Sequence, residues 1–187
     1  GKTLSYLMPT LDAIYRASCG KPVSSTSAYS GAENLNNRAN VLYISPAKAL
    51  SADQLTALTS YNLPGLHAAS YDGDTPTGER RWIREHANFI LTTPDMLNYS
   101  ILSNHRQWAS FLRGLRYVVL DEAHSYRGVF GAHIANLLRR LRRVCALYRT
   151  VPVFYGASAT SSNPVESFSK LIGVPQQAVT AITESTS

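Results

Sequence analysis

The chain has 187 residues, 44% hydrophobic and 16% charged, with a net charge of +6 and a pI near 9.5. That is enough for one domain, 1–187, with a real core. No apolar run reaches membrane-spanning length, no signal-peptide pattern opens the chain, and two cysteines, Cys19 and Cys145, make no disulfide or metal framework, so a cytoplasmic protein with no membrane partner is expected. The basic balance is compatible with a polyanionic partner and gains weight only if motifs agree.

In chain order, Gly1-Lys2-Thr3 runs into Leu4, Leu7, Met8, Leu11, Ile14 and Tyr15, which recur at helical spacing. The Ser-, Asn- and Gly-rich stretch over 20–40 reads as a flexible surface loop. "VLYIS" (Val41 to Ser45) reads as a buried strand, and a helix is expected from about Ala49 to Thr59. "LHAASYDG" reads as a weaker strand, then "TGERRWIREHA" as a helix with Trp82 and Ile83 inward. "FILTT" is a strand stopped by Pro94. "LRYVVLDE" is the clearest strand, and the helix "GAHIANLLRRLRRVCALY" has Ile134, Leu137, Leu138, Leu141 and Val144 or Cys145 on one face. "VPVFYGASAT" reads as a strand and Pro164 to Leu171 as a short helix. Strands alternating with helices predict an α/β fold, a parallel sheet under helices. Ligands in such sheets bind beyond the carboxyl ends of the strands.

The segments at those ends carry the chemistry. Asp121 and Glu122 follow "YVVL" directly, so both emerge from a rigid strand. Asp121 can hold Mg²⁺ through its water shell, and Glu122 can orient and deprotonate an attacking water. The bland alternative is that both merely cap the following helix. Gly1-Lys2-Thr3 matches the end of G-x-x-x-x-G-K-[ST], in which Lys2 reaches the β- and γ-phosphates, the Thr3 hydroxyl ligates Mg²⁺ and backbone N–H groups face the phosphates. Ser158 and Thr160 in "GASAT" could bond Glu122 or His124 and report nucleotide state, or serve ordinary turn chemistry.

In order, "GKT", "SPAKAL", "TTPDML", "DEAH" and "SAT" resemble motifs I, Ia, Ib, II and III of superfamily II DEAD/DEAH-box helicases over essentially the whole chain. Longer stretches, among them "LRYVVLDEAHSYRGVFGAHIANLLRRLRR", are similar to the MrfA/YprA and Hrq-type helicases, ATP-dependent DNA translocases with 3′-to-5′ polarity associated with DNA repair. The resemblance implies a three-layer RecA-like domain, helices on both faces of the sheet, truncated at its N-terminus. It implies ATP and Mg²⁺ as cofactors, DNA as a single strand or duplex junction, and a second RecA-like lobe as partners. Lys2 and Thr3 would bind phosphate and magnesium, Asp121 magnesium, and Glu122 would activate water. His124, Ser158 and Thr160 would couple nucleotide to DNA, and Ser45, Pro46, Lys48, Thr93, Pro94 and Asp95 would line the DNA path. Family members often carry Thr where this chain has Ala47, which removes a phosphate-bonding hydroxyl. The alternatives are an RNA-dependent remodeller, or a fragment that binds nucleic acid without turnover. Because Gly1 reads as a cut through the phosphate loop, residues 1–187 alone are expected to be inactive.

Of the remaining features, Arg139, Arg140, Arg142 and Arg143 read as a solvated helix face. Trp82 and Trp108 read as core, and no histidine set has metal-ligand spacing. The loop "YRGVFG" after the acids suits approach to DNA or another domain.

Overall fold

The structure is a computed structural model that describes residues 2–21, 38–157 and 163–182, with side chains from residue 5 onward. Most of the 20–40 stretch therefore lies outside the described residues.

The elements are α1 (Lys2–Ser18), β1 (Asn40–Ile44), α2 (Lys48–Ser60), β2 (Ala68–Tyr71), α3 (Thr77–His86), β3 (Phe89–Thr92), α4 (Pro94–Met96), which runs straight into a π-helical stretch (Leu97–Leu102), α5 (Ala109–Arg113), β4 (Leu115–Leu120), a 3₁₀ turn (Ala123–Ser125), α6 (Gly128–Leu147), β5 (Val153–Gly156) and α7 (Pro164–Ile172). The strands form one sheet in the order β2-β3-β1-β4-β5, every pairing parallel. Parallel neighbours need crossovers, which the helices supply.

The sheet's two-residue side-chain period divides the core. Val41, Tyr43, Phe89, Leu91, Tyr117 and Val119 face α1 and α2. Leu42, Ile44, Ile90, Val118 and Leu120 face the other layer, α3 to α7, where Leu138 and Leu141 of α6 are fully buried. This is the three-layer arrangement. The inner strands β1 and β3 are buried at every position, because both of their faces are covered.

Local signals set the helix ends. In α1 the Gly20 N–H bonds the Ala17 carbonyl at 3.3 Å and the Lys21 N–H bonds Arg16 at 2.9 Å, a paired closure that needs the left-handed backbone Gly20 supplies (φ +66°). α7 starts on Asn163, whose side chain accepts from the Glu166 N–H, with Pro164 next.

Two readings are corrected. Ile83 is buried but Trp82 is 48% exposed, whereas Trp108 is core at 1%. α3 lies against the edge strand β2 and buries only Ile83; consecutive helical residues point about 100° apart, so seating Ile83 turns Trp82 outward. There it stacks on His86, 5.3 Å between centroids. The α6 arginines are also more than a solvated face. Arg140 Nη1 donates to Asn98 Oδ1 at 2.7 Å, Arg142 to the Gly173 carbonyl at 2.7 Å, and Arg139 to the Lys170 carbonyl at 3.3 Å. The last two meet the carbonyl end of α7, where a cation is favoured.

Candidate active site

Register brings the sequence-derived candidates together. Ile44 is level with Thr92 and Leu120, Thr92 with Tyr71, and Leu120 with Gly156. The segments that carry Ser45 to Lys48, Asp72 to Asp74, Thr93 to Asp95 and Asp121 to His124 therefore leave one edge of the sheet. Ser158 and Thr160 follow β5 but lie outside the described residues.

The acid turn is fastened from both sides. The Asp121 N–H donates to the Ile44 carbonyl at 2.9 Å, the Ala157 N–H to Leu120 at 2.9 Å, and the Ala123 N–H to Ala157 at 2.8 Å. Asp121 Oδ1 accepts from the Glu122 N–H at 2.9 Å, and Oδ2 accepts from the Tyr43 hydroxyl at 2.5 Å. Tyr43 is 1% exposed; burial, then the bond to Asp121, drive its pKa far above the ordinary tyrosine value, so it remains a neutral donor. Sequence reasoning missed Tyr43 as a site residue. The available signal was a polar-tipped side chain within "VLYIS", on the strand beside the acids.

Glu122 has left-handed backbone angles, φ 48° and ψ 42°. A non-glycine residue there costs roughly 1–2 kcal/mol, held by the hydrogen bonds around it, which is how strain persists at functional turns. Glu122 Oε2 lies 3.2 Å from His124 Nε2, an ion pair when the imidazole is protonated. Neither carboxylate caps α6: its N-cap is Arg127, with no side-chain cap bond. The capping alternative is therefore not what the structure contains.

α1 runs towards this edge with its N-terminus. Near its start, Tyr6 packs its ring 6.1 Å from that of Tyr43. Near its end, Ser18 lies against Gly65, ahead of β2, so closely that a Cβ on Gly65 would sit 2.4 Å from the Ser18 Cβ. The N-terminus of α1, with the positive end of its dipole, thus faces the acid edge, and the first turn holds no acid. Gly1 and the side chains of Lys2 and Thr3 lie outside the described residues.

The six proposed nucleic-acid residues differ in availability. Ser45 is buried, its hydroxyl donating to the Ala47 carbonyl at 3.1 Å. Pro46 is half-buried and Pro94 buried. The Thr93 hydroxyl accepts from the Met96 N–H at 3.4 Å, capping α4. Asp95 is exposed. Lys48 is exposed and pairs with Asp74 at 2.7 Å. At the start of α2, Ala47 is the N-cap and makes no side-chain cap bond, so it supplies no acceptor to the first N–H groups of α2.

A parallel sheet with helices on both faces, its carboxyl edge holding a fastened acid pair towards which a helix N-terminus runs, is the architecture of a RecA-like domain. The chain belongs to the DEAD/DEAH box helicase family, whose model matches residues 1–168. It is 41% identical over 182 residues to the ATP-dependent helicase YprA of Bacillus subtilis, 96% of this chain and 22% of that protein. It is 43% identical over 140 residues to the ATP-dependent helicase HRQ1 of Saccharomyces cerevisiae, 71% of this chain and 13% of that protein. Among solved structures it resembles the DUF1998 helicase MrfA bound to DNA and AMPPNP, at 39% identity, TM-score 0.79, covering 94% of this chain and 22% of that one. The chain thus spans about a fifth or less of the length of these relatives.

Proposed function

We propose that this chain is the ATP-binding lobe of an ATP-dependent DNA helicase that couples Mg-ATP hydrolysis to translocation and strand separation, in the setting of DNA repair. The observation that carries the reading is the fastened Asp121–Glu122 turn facing the N-terminus of α1 across one sheet edge.

The residues present fit the group this implies. Asp121 presents an oriented carboxylate with lone pairs to spare, and among the described residues no three His, Cys, Asp or Glu side chains form a metal cage. Mg²⁺ in phosphate sites keeps most of its waters and takes one or two protein ligands; here Asp121 and the Thr3 hydroxyl would hold it. Bound there, it neutralises charge on the β- and γ-phosphate oxygens. Tyr43 holds Asp121 in place. Glu122 orients the attacking water and takes its proton, and His124 holds the Glu122 carboxylate. Lys2 and the N-terminal amides of α1 stabilise phosphate charge. Lys48, Thr93 and the open N-terminus of α2 take backbone phosphates of the DNA, contacts that position without reading sequence. A second RecA-like lobe completes the site from the other side.

The test is ATP hydrolysis by the protein expressed at the full length of its gene, with DNA or RNA added. DNA-stimulated turnover is expected. Glu122→Gln should lower kcat by about 10²–10⁴-fold while ATP still binds. Stimulation by RNA alone would sink the DNA assignment.

A further inference from the structure

Tyr126 lies where the 3₁₀ turn gives way to α6, four residues after Glu122. Its backbone is tightly placed. Its N–H donates to the Ala123 carbonyl at 3.3 Å, and its own carbonyl lies against Gly131, where a Cβ would come within 2.5 Å. The ring packs 5.9 Å from Phe130 and is 6% exposed in the core under α6.

The hydroxyl is the anomaly. It is buried and has no hydrogen-bond partner among the described residues. The other buried tyrosines of the sheet end differ: Tyr43 donates to Asp121, and Tyr71 pairs with Ser100 at 3.0 Å. An unpaired buried hydroxyl is destabilising, and phenylalanine would fill the same space without that cost. Such a group calls for a partner in some working arrangement. Asp121 and Glu122 have acceptor capacity, and both carboxylates add to the effect of burial in raising the Tyr126 pKa. Asp121 accepts from Tyr43 and from the Glu122 N–H, and its remaining lone pairs are those that would face Mg²⁺ in the proposed function. Glu122 uses one oxygen, Oε2, on His124.

We propose that Tyr126 is a positioning residue for Glu122: when the Glu122 side chain turns from His124 towards the interior, the Tyr126 hydroxyl donates to its carboxylate and holds it in the orientation that receives the proton of the attacking water. Glu122 then has two alternative partners, His124 outside and Tyr126 inside. The inference rests on the proposed role of Glu122 as the water-activating acid.

The test uses the protein at full gene length and two variants, Tyr126→Phe and Glu122→Gln, measuring DNA-stimulated kcat, KM for ATP and the thermal midpoint. Tyr126→Phe should lower kcat about tenfold, the loss of one hydrogen bond to a charged group. KM should stay within twofold and the midpoint should stay level or rise, because an unsatisfied hydroxyl is gone. Unchanged kcat in Tyr126→Phe, with Glu122→Gln inactive, overturns the proposal and leaves the acid reading intact. A fall in kcat that comes with a lowered midpoint or a raised KM also overturns it, since that marks a structural role. Full turnover by Glu122→Gln removes the acid reading and the proposal with it.

Discussion

At the scale of single residues, Tyr43 and Ala47 make opposite contributions to the proposed site. Tyr43 reaches from the neighbouring strand to fix one oxygen of Asp121. Partners of this kind orient a metal-holding carboxylate, and losing one costs about 10- to 100-fold in metal affinity or activity. Tyr43→Phe is therefore expected to raise the Mg²⁺ concentration needed for half-maximal turnover by that order while ATP-independent folding persists, as judged by a Mg²⁺ titration beside a melting curve. Ala47 leaves α2 without a side-chain cap. Ala47→Thr should add about 1 kcal/mol, read as a rise of roughly 2–4 °C in melting temperature. The placement of Asp121 and Glu122 was legible because an apolar run ending in two acids can only put them at a strand end. Tyr43 was not, because its role depends on which strand lies beside which, and no local pattern states that.

At the scale of elements, the join between the acid turn and α6 is the tightest constraint. A Cβ on Gly131 would sit 2.5 Å from the Tyr126 carbonyl oxygen, a backbone atom that cannot swing aside. Gly131→Ala should destabilise by about 1–3 kcal/mol, the usual cost of overpacking, measurable by urea denaturation. If stability is unchanged, the close approach is not a constraint. The apolar face of α6 was readable from its period, and Ile134, Leu137, Leu138, Leu141, Val144 and Cys145 are all buried. The π-helical continuation of α4 was not, since "LNYSIL" carries no periodic signal longer than a turn. Trp82 was misplaced because helical spacing gives the existence of a buried stripe but not its width, and a helix on an edge strand has a narrow one.

For the whole molecule, several weak acids are buried in neutral form. Burial pushes the Cys145 thiol up to about 11 from an ordinary 9, and raises Tyr43 and Tyr126 further above the tyrosine range. Such groups keep their protons when folded and lose them when unfolded, so the unfolded state binds fewer protons and stability falls as pH rises. The contribution of Cys145 is fully present below pH 9 and is lost between about 9 and about 11, on the order of 2–3 kcal/mol. The tyrosines add to the loss from about pH 10 upward. A series of melts is expected to show a steep alkaline decline, with Cys145→Ser flattening its onset; a flat profile to pH 11 would contradict the burial of these groups. The fold class was legible because parallel sheets impose both continuous apolar strands and intervening helices. Strand order was not, because it is settled by contacts between segments far apart in the chain.

That order has a consequence in time. β1 precedes both of its neighbours in the chain, yet it lies in the middle of the sheet, between β3 and β4. Val41 waits for Tyr117, 76 positions later, before its second edge is covered. At about 5–20 residues per second of synthesis, the apolar run Val41 to Ile44 stays open on that edge for roughly 4–15 s on the ribosome. An unpaired, fully apolar strand is the kind of segment that sticks to others of its kind. The nascent chain is therefore expected to engage a holding chaperone from the emergence of β1 until β4 has left the exit tunnel, and to let it go then.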